Sequence, residues 1–120
     1  MSHATQHIGD TTVLICNPDG NVLKAEQDAL DLIGDTAANG ADMVVLPVER
    51  LDDAFFDLST RIAGEFLQKF VNYGVRVAIV GDISTQLQAS SALRAFVAES
   101  NRGRHVWFAT TLDDLTARLG

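Results

Sequence analysis

The chain holds one cysteine, two prolines, one tryptophan and three histidines among 120 residues, and these scarcities exclude whole classes of chemistry. A lone Cys16 cannot close an internal disulfide. Inside the apolar run Val13-Leu14-Ile15-Cys16 it reads as a small buried hydrophobe. His3 and His7 stand near the N-terminus and His105 opens a predicted strand, so they offer neither a nucleophile–base triad nor chelating spacing. No metal and no cofactor is expected. No apolar run approaches the ~20 residues of a membrane span, and the first seven residues lack the basic start and apolar centre of a secretory signal. A cytoplasmic protein without membrane contact is the expectation. Basic residues are few as well: nine Lys and Arg face sixteen Asp and Glu, a formal net charge of −7. A phosphate backbone repels such a chain unless its cations gather on one face, and only Arg102 and Arg104 lie close together. Nucleic acid is not an expected partner. The glycine-rich phosphate loops are missing too, since Gly81-Asp82 lacks both the P-loop lysine and the three spaced glycines of a dinucleotide fingerprint.

What is present describes one packed domain. Apolar residues make up 47% of the chain and charged residues 21%, a balance that buries a single core and is neither disordered nor supercharged. Residues 1–10 read as a disordered tail and residues 11–120 as the domain. Residues 11–16 form a strand, Asn17-Pro18-Asp19-Gly20 turns the chain, and residues 21–25 pair back to make an opening hairpin. A helix follows over 26–38, with Ala29, Leu32 and Ile33 on one face and Asn39-Gly40 ending it. Met43-Val44-Val45-Leu46 and residues 75–80 are continuous apolar runs, the pattern of central strands covered on both faces.

Between them, residues 51–56 make a linker or short turn, and a helix spans about 59–72, closed by Gly74. Thr85 with Gln88 reads as a capping box for the next helix. His105-Val106-Trp107-Phe108 is the last strand, and Thr111 caps a terminal helix carrying Leu112, Leu115 and Leu119. The order β-β-α-β-α-β-α-β-α gives an α/β fold with a mixed five-stranded sheet, its later strands parallel.

The densest group of hydroxyls is Asp57-Leu58-Ser59-Thr60, at the start of the helix bearing Ala63, Phe66 and Phe70. Ser59 is first of all a helix cap, accepting from a free amide two or three residues on; Asp57 takes that role if the helix begins earlier. The same corner lies at the carboxyl edge of a parallel sheet, where ligands bind and helix amides favour anions. A phosphate on Ser59 or Thr60 would add about two negative charges to a partner surface. Asp82, after the next central strand, joins Asp57 and Glu49 as a candidate acidic cluster, with three solvated loop carboxylates as the plainer reading. Arg102 and Arg104 are candidate anion contacts in the turn Asn101-Arg102-Gly103-Arg104.

The stretches Leu46-Pro47-Val48-Glu49-Arg50-Leu51, Phe55-Phe56-Asp57-Leu58-Ser59-Thr60, Ala63 to Tyr73, Ala78-Ile79-Val80-Gly81-Asp82 and Glu99-Ser100-Asn101-Arg102-Gly103 carry a likeness. Over about residues 11–118 the chain resembles the bacterial domain-of-unknown-function family 4180 (DUF4180), which brings no established activity with it. More distantly, the element order is similar to that of STAS domains, the anti-sigma-factor antagonist fold. That resemblance aligns Asp57 with the family's aspartate and Ser59 with its regulatory serine. Leu58 and Thr60 depart from the Asp-Ser-Ser-Gly pattern. STAS domains act by binding proteins, so the resemblance implies a non-enzymatic regulatory or protein-interaction module, switched at Ser59 or Thr60. The alternatives are a small-molecule or anion-binding domain using Asp57, Ser59 and Asp82, and a homodimeric structural protein.

Overall fold

Four apolar runs and one polar N-terminal segment assemble into one sheet whose spatial order repeats the chain order. The computed structural model describes residues 3–23 and 25–120. The strands are β1 (His3–Ile8), β2 (Thr11–Cys16), β3 (Met43–Pro47), β4 (Arg76–Val80) and β5 (Val106–Ala109). β1 runs antiparallel to β2, while β2, β3, β4 and β5 are parallel. The helices are α1 (Glu26–Ala38), α2 (Asp53–Phe56), α3 (Ile62–Asn72), α4 (Ser84–Ala89), α5 (Ser91–Arg102) and α6 (Leu112–Leu119). The fold is the α/β arrangement with a mixed five-stranded sheet that the patterning implies.

Each parallel step moves one strand in the same direction, so right-handed crossovers carry every connecting helix to the same face. Side chains alternate across that sheet with period two. Leu14, Val44, Leu46, Val77 and Ile79 pack with Ala29 and Leu32 of α1, Phe66 and Phe70 of α3 and Leu93 of α5. Val13, Met43, Val45, Ala78 and Trp107 point the other way and meet Leu115 of α6. One eight-residue helix thus covers the second face.

The helical face is anchored by phenylalanines. Ala63, Phe66, Leu67 and Phe70 are buried at the i, i+3, i+4, i+7 spacing that lines one side of a helix. Phe66 meets Phe55 edge-on, with centroids 5.8 Å apart, and lies 5.4 Å from Phe70.

Two sequence expectations are corrected near the N-terminus. The hairpin partner of β2 is His3–Ile8, paired from His3↔Cys16 to Ile8↔Thr11, and among the described residues Asn21, Val22, Leu23 and Ala25 lie in no strand. Most of the expected tail, residues 3–8, is therefore an edge strand; Met1, Ser2 and Lys24 lie outside the described residues. The physical reason is edge supply. β1 takes one side of β2, and β3 takes the other through Val13↔Met43 and Ile15↔Val45. The Asn17–Gly20 turn exists, with Asn17 Oδ1 accepting from Asp19 N at 2.8 Å, but it leads into a loop. Buried Arg50 pins that loop by donating Nε to Asn21 O (2.6 Å) and Nη1 to Asn17 O (2.9 Å).

The helix boundaries shift as well. α3 begins at Ile62, not near Ser59, because Arg61 adopts a left-handed φ of 65°. The helix expected after Thr85 starts at Ser84 and breaks at Ser90, whose Oγ accepts from Leu93 N (3.1 Å) and so caps α5. Thr111 caps α6 as expected, accepting from Asp114 N at 3.1 Å. The phenylalanine stack yields a stability prediction. Phe66→Ala is expected to cost about 3–5 kcal/mol, read as a lowered urea midpoint with an unchanged slope.

Candidate functional site

The carboxyl edge of the sheet holds the corner singled out by sequence. β3 ends at Pro47, and the chain passes through α2 to a 3-10 turn over Leu58–Thr60 before α3. Asp57 Oδ1 accepts from Ser59 N (3.1 Å) and from Ser59 Oγ (2.7 Å). Asp57 is therefore the cap, of the 3-10 turn, and Ser59 is the residue it holds. That corrects the reading of Ser59 as the cap of α3. Thr60 Oγ1 lies 2.8 Å from both Ala54 O and Asp57 O and accepts from Ile62 N at 3.3 Å. Ser59 and Thr60 are both exposed, and their hydroxyls bond within this one turn.

Asp82 behaves in the same local way. Its Oδ1 accepts from Ser84 N at 2.9 Å. The Ser84 amide, then the Ser84 hydroxyl, hold its carboxyl below the usual range. Asp57 and Asp82 each serve their own turn. A crevice of about 210 Å3 at this edge is lined by Val48, Gly81, Ile83, Asn101, Phe108 and Thr110 among others, and by none of Asp57, Ser59, Thr60 or Asp82. Glu49 instead borders a second crevice of about 320 Å3, beside Cys16, Pro47, Val80 and Leu112. Gly81 separates the two at a φ of 151°, and a Cβ there would run into Val48. Burial pushes the Cys16 thiol up to about 11, with nearby Arg50 opposing the shift. The thiol is therefore neutral at pH 7, and the thiolate is the reactive form. Among the described residues no group of three or more His, Cys, Asp or Glu side chains is placed to hold a metal ion.

The opposite, amino edge carries a constellation that sequence spacing conceals. Arg76 opens β4, Arg104 and His105 precede β5, and α6 returns from the carboxyl edge to deliver Arg118 in its last turn. These residues, with Thr11, Trp107 and Leu119, line a cavity of about 450 Å3 that has no aspartate or glutamate among its described lining residues. The Arg118 guanidinium lies 3.8 Å from the Trp107 ring centroid and that of Arg76 lies 4.6 Å away. Both distances are within cation–π range. Backbone carbonyls hold the assembly: Arg76 Nε donates to Arg104 O (2.8 Å), Arg118 Nη2 to Asn101 O, and Trp107 Nε1 to Gly103 O (2.8 Å). His105 Nε2 lies 3.2 Å from Phe70 O, which fixes its ring.

Electrostatically this is a cationic pocket in an acidic chain. Burial depresses the Arg76 pKa, the Arg104 and Arg118 charges depress it further, and Asp42 partly opposes them. Ion pairs elsewhere, Lys69–Glu26 at 3.5 Å and Arg102–Glu99 at 2.8 Å, draw on other residues. The two arginines grouped by sequence are thus separated: Arg104 joins the pocket and Arg102 pairs along α5. Sequence spacing does not group Arg76 with Arg118, because they stand far apart in the chain. One signal exists. Val77↔Val106 pairing in a parallel sheet sets Arg76 level with His105.

Two outcomes are expected from this geometry. Asp57→Ala removes the acceptor for both Ser59 donors and is expected to lower stability by about 1 kcal/mol, with Ser59→Ala costing less in the same urea titration. Cys16 is expected to resist iodoacetamide at pH 7.5 in the native chain and to react in urea, as read by intact mass.

No curated protein and no solved structure matches the chain. A family model described as "Domain of unknown function (DUF4180)" matches residues 8–119, a span that takes in β2 through α6 and both edges of the sheet. On that match the chain belongs to the DUF4180 family.

Proposed function

We propose that this protein is a non-enzymatic binding module that recognises an anionic partner group through the arginine pocket at the amino edge of its sheet. One observation carries the reading: Arg76, Arg104 and Arg118 converge on a single cavity whose described lining holds no aspartate or glutamate, in a chain of net charge −7. Bringing like charges together costs free energy that folding alone does not recover. An anion seated among them offsets that cost, so the free pocket favours binding. A net charge of −7 argues against a nucleic-acid backbone as the partner. The STAS likeness in element order supports recognition over catalysis, because STAS domains act by binding proteins.

A second reading rests on Ser59. Its exposed Oγ donates to the Asp57 carboxylate at 2.7 Å, so a phosphate added there would be repelled by Asp57 and would open the turn. Partner control at this corner requires Ser59→Asp and Ser59→Ala to bind a captured partner differently; equal binding overturns it.

The anion reading is tested by thermal unfolding in citrate or sulfate against sodium chloride of equal ionic strength. A rise in Tm of about 5 °C is expected at ten times the dissociation constant, and Arg104→Gln is expected to abolish it. No anion-specific shift in the unmodified chain overturns the reading.

A further inference from the structure

Resting on the anion-recognition reading above, we infer that the arginine pocket takes the tetrahedral dianion of a phosphate monoester. The donors come from three separate places in the fold: the start of β4, the loop before β5 and the end of α6. Each guanidinium has five N–H donors in a fixed planar fork. Arg76 spends its Nε–H on Arg104 O, leaving both Nη groups. Arg118 spends one Nη2 hydrogen on Asn101 O. Arg104 is exposed, and its side chain makes no hydrogen bond among the described residues.

A carboxylate presents two oxygens in one plane, and two guanidinium edges saturate it. A phosphoryl group presents three oxygens in three directions, which matches three guanidiniums. Charge points the same way, since a monocarboxylate would leave the pocket with two uncompensated cations and a dianion leaves one.

The cavity, at about 450 Å3, falls within the range of small-molecule sites and has room for an organic remainder beyond the phosphoryl group. That remainder does not stack on an open aromatic face, because Trp107 is only 8% exposed and carries the two guanidiniums. It meets Thr11, His105 and Leu119 instead. A small, non-aromatic phosphate ester and a phosphorylated side chain of a partner share this chemistry.

Isothermal titration of the full chain separates the outcomes, using glycerol 3-phosphate, a phosphoserine peptide with its unphosphorylated form, sulfate and citrate. Binding of either phosphate ester, weakened at least tenfold by Arg104→Gln, supports the inference, and the tighter of the two identifies the source. Arg104→Gln removes no intramolecular hydrogen bond found for that side chain, and its far-ultraviolet circular dichroism is expected to match the parent.

A pH series adds a second readout. The second ionisation of a phosphate ester lies near pH 6, whereas sulfate is dianionic throughout. The affinity of glycerol 3-phosphate relative to sulfate is therefore expected to fall about fourfold from pH 7.5 to 5.5. The sulfate ratio cancels the contributions of the protein groups around the cavity, His105, Arg76, Arg104, Arg118 and Asp42. A flat ratio overturns dianion recognition. Citrate binding without binding of either ester overturns the phosphate assignment and leaves the anion reading standing. If none of the anions binds, both fall.

Discussion

Strand progression in one direction is the constraint from which the rest of the architecture follows. β2, β3, β4 and β5 are laid down side by side in chain order, and right-handed crossovers allow each connection only one face of a sheet growing that way. α1, α3 and α5 therefore pack together with the phenylalanine stack. The other face is left to α6, which at eight residues spans about 12 Å. Leu112, Leu115 and Leu119 face the sheet along that length. The last turn of α6 then falls at the amino edge, where Arg118 and Arg76 both stack on Trp107.

The two edges of the sheet use polar groups in opposite ways. At the carboxyl edge, Asp57 bonds to Ser59, Thr60 to Ala54 and Asp57, and Asp82 to Ser84. Each is a bond within a few residues that holds a turn. At the amino edge Arg76 and Arg118 each spend one N–H on a backbone carbonyl and, with Arg104, line a shared cavity. Stacking on Trp107 offsets some of the mutual repulsion, yet Arg76 still carries the imprint of its neighbours as a depressed pKa.

Arg50 shows how one buried cation shapes the path of the chain. Its guanidinium takes the carbonyls of Asn17 and Asn21, and its own carbonyl accepts from Leu23 N at 2.6 Å. Gly20 lies against it so closely that a Cβ there would run into the guanidinium. This contact turns an apparent hairpin into a loop leading to α1. Pattern reading misses it because Arg50 and Asn17 are joined only after β3 has paired with β2.

Hydrophobic periodicity specified the α/β class, the parallel core strands and the apolar faces of α1 and α3, and local capping chemistry specified the Thr111 cap. Those features depend on residues within one or two turns of each other, and local sequence records them. Tertiary structure alone decided which strand completes the hairpin, since that depends on which edge of β2 is free. The start of α3 was also settled there, by a left-handed Arg61 that no local propensity marks. The arginine pocket belongs to the same group. Arg76, Arg104 and Arg118 are distant in the chain, and only the β4–β5 register and the return of α6 bring their charges to one cavity.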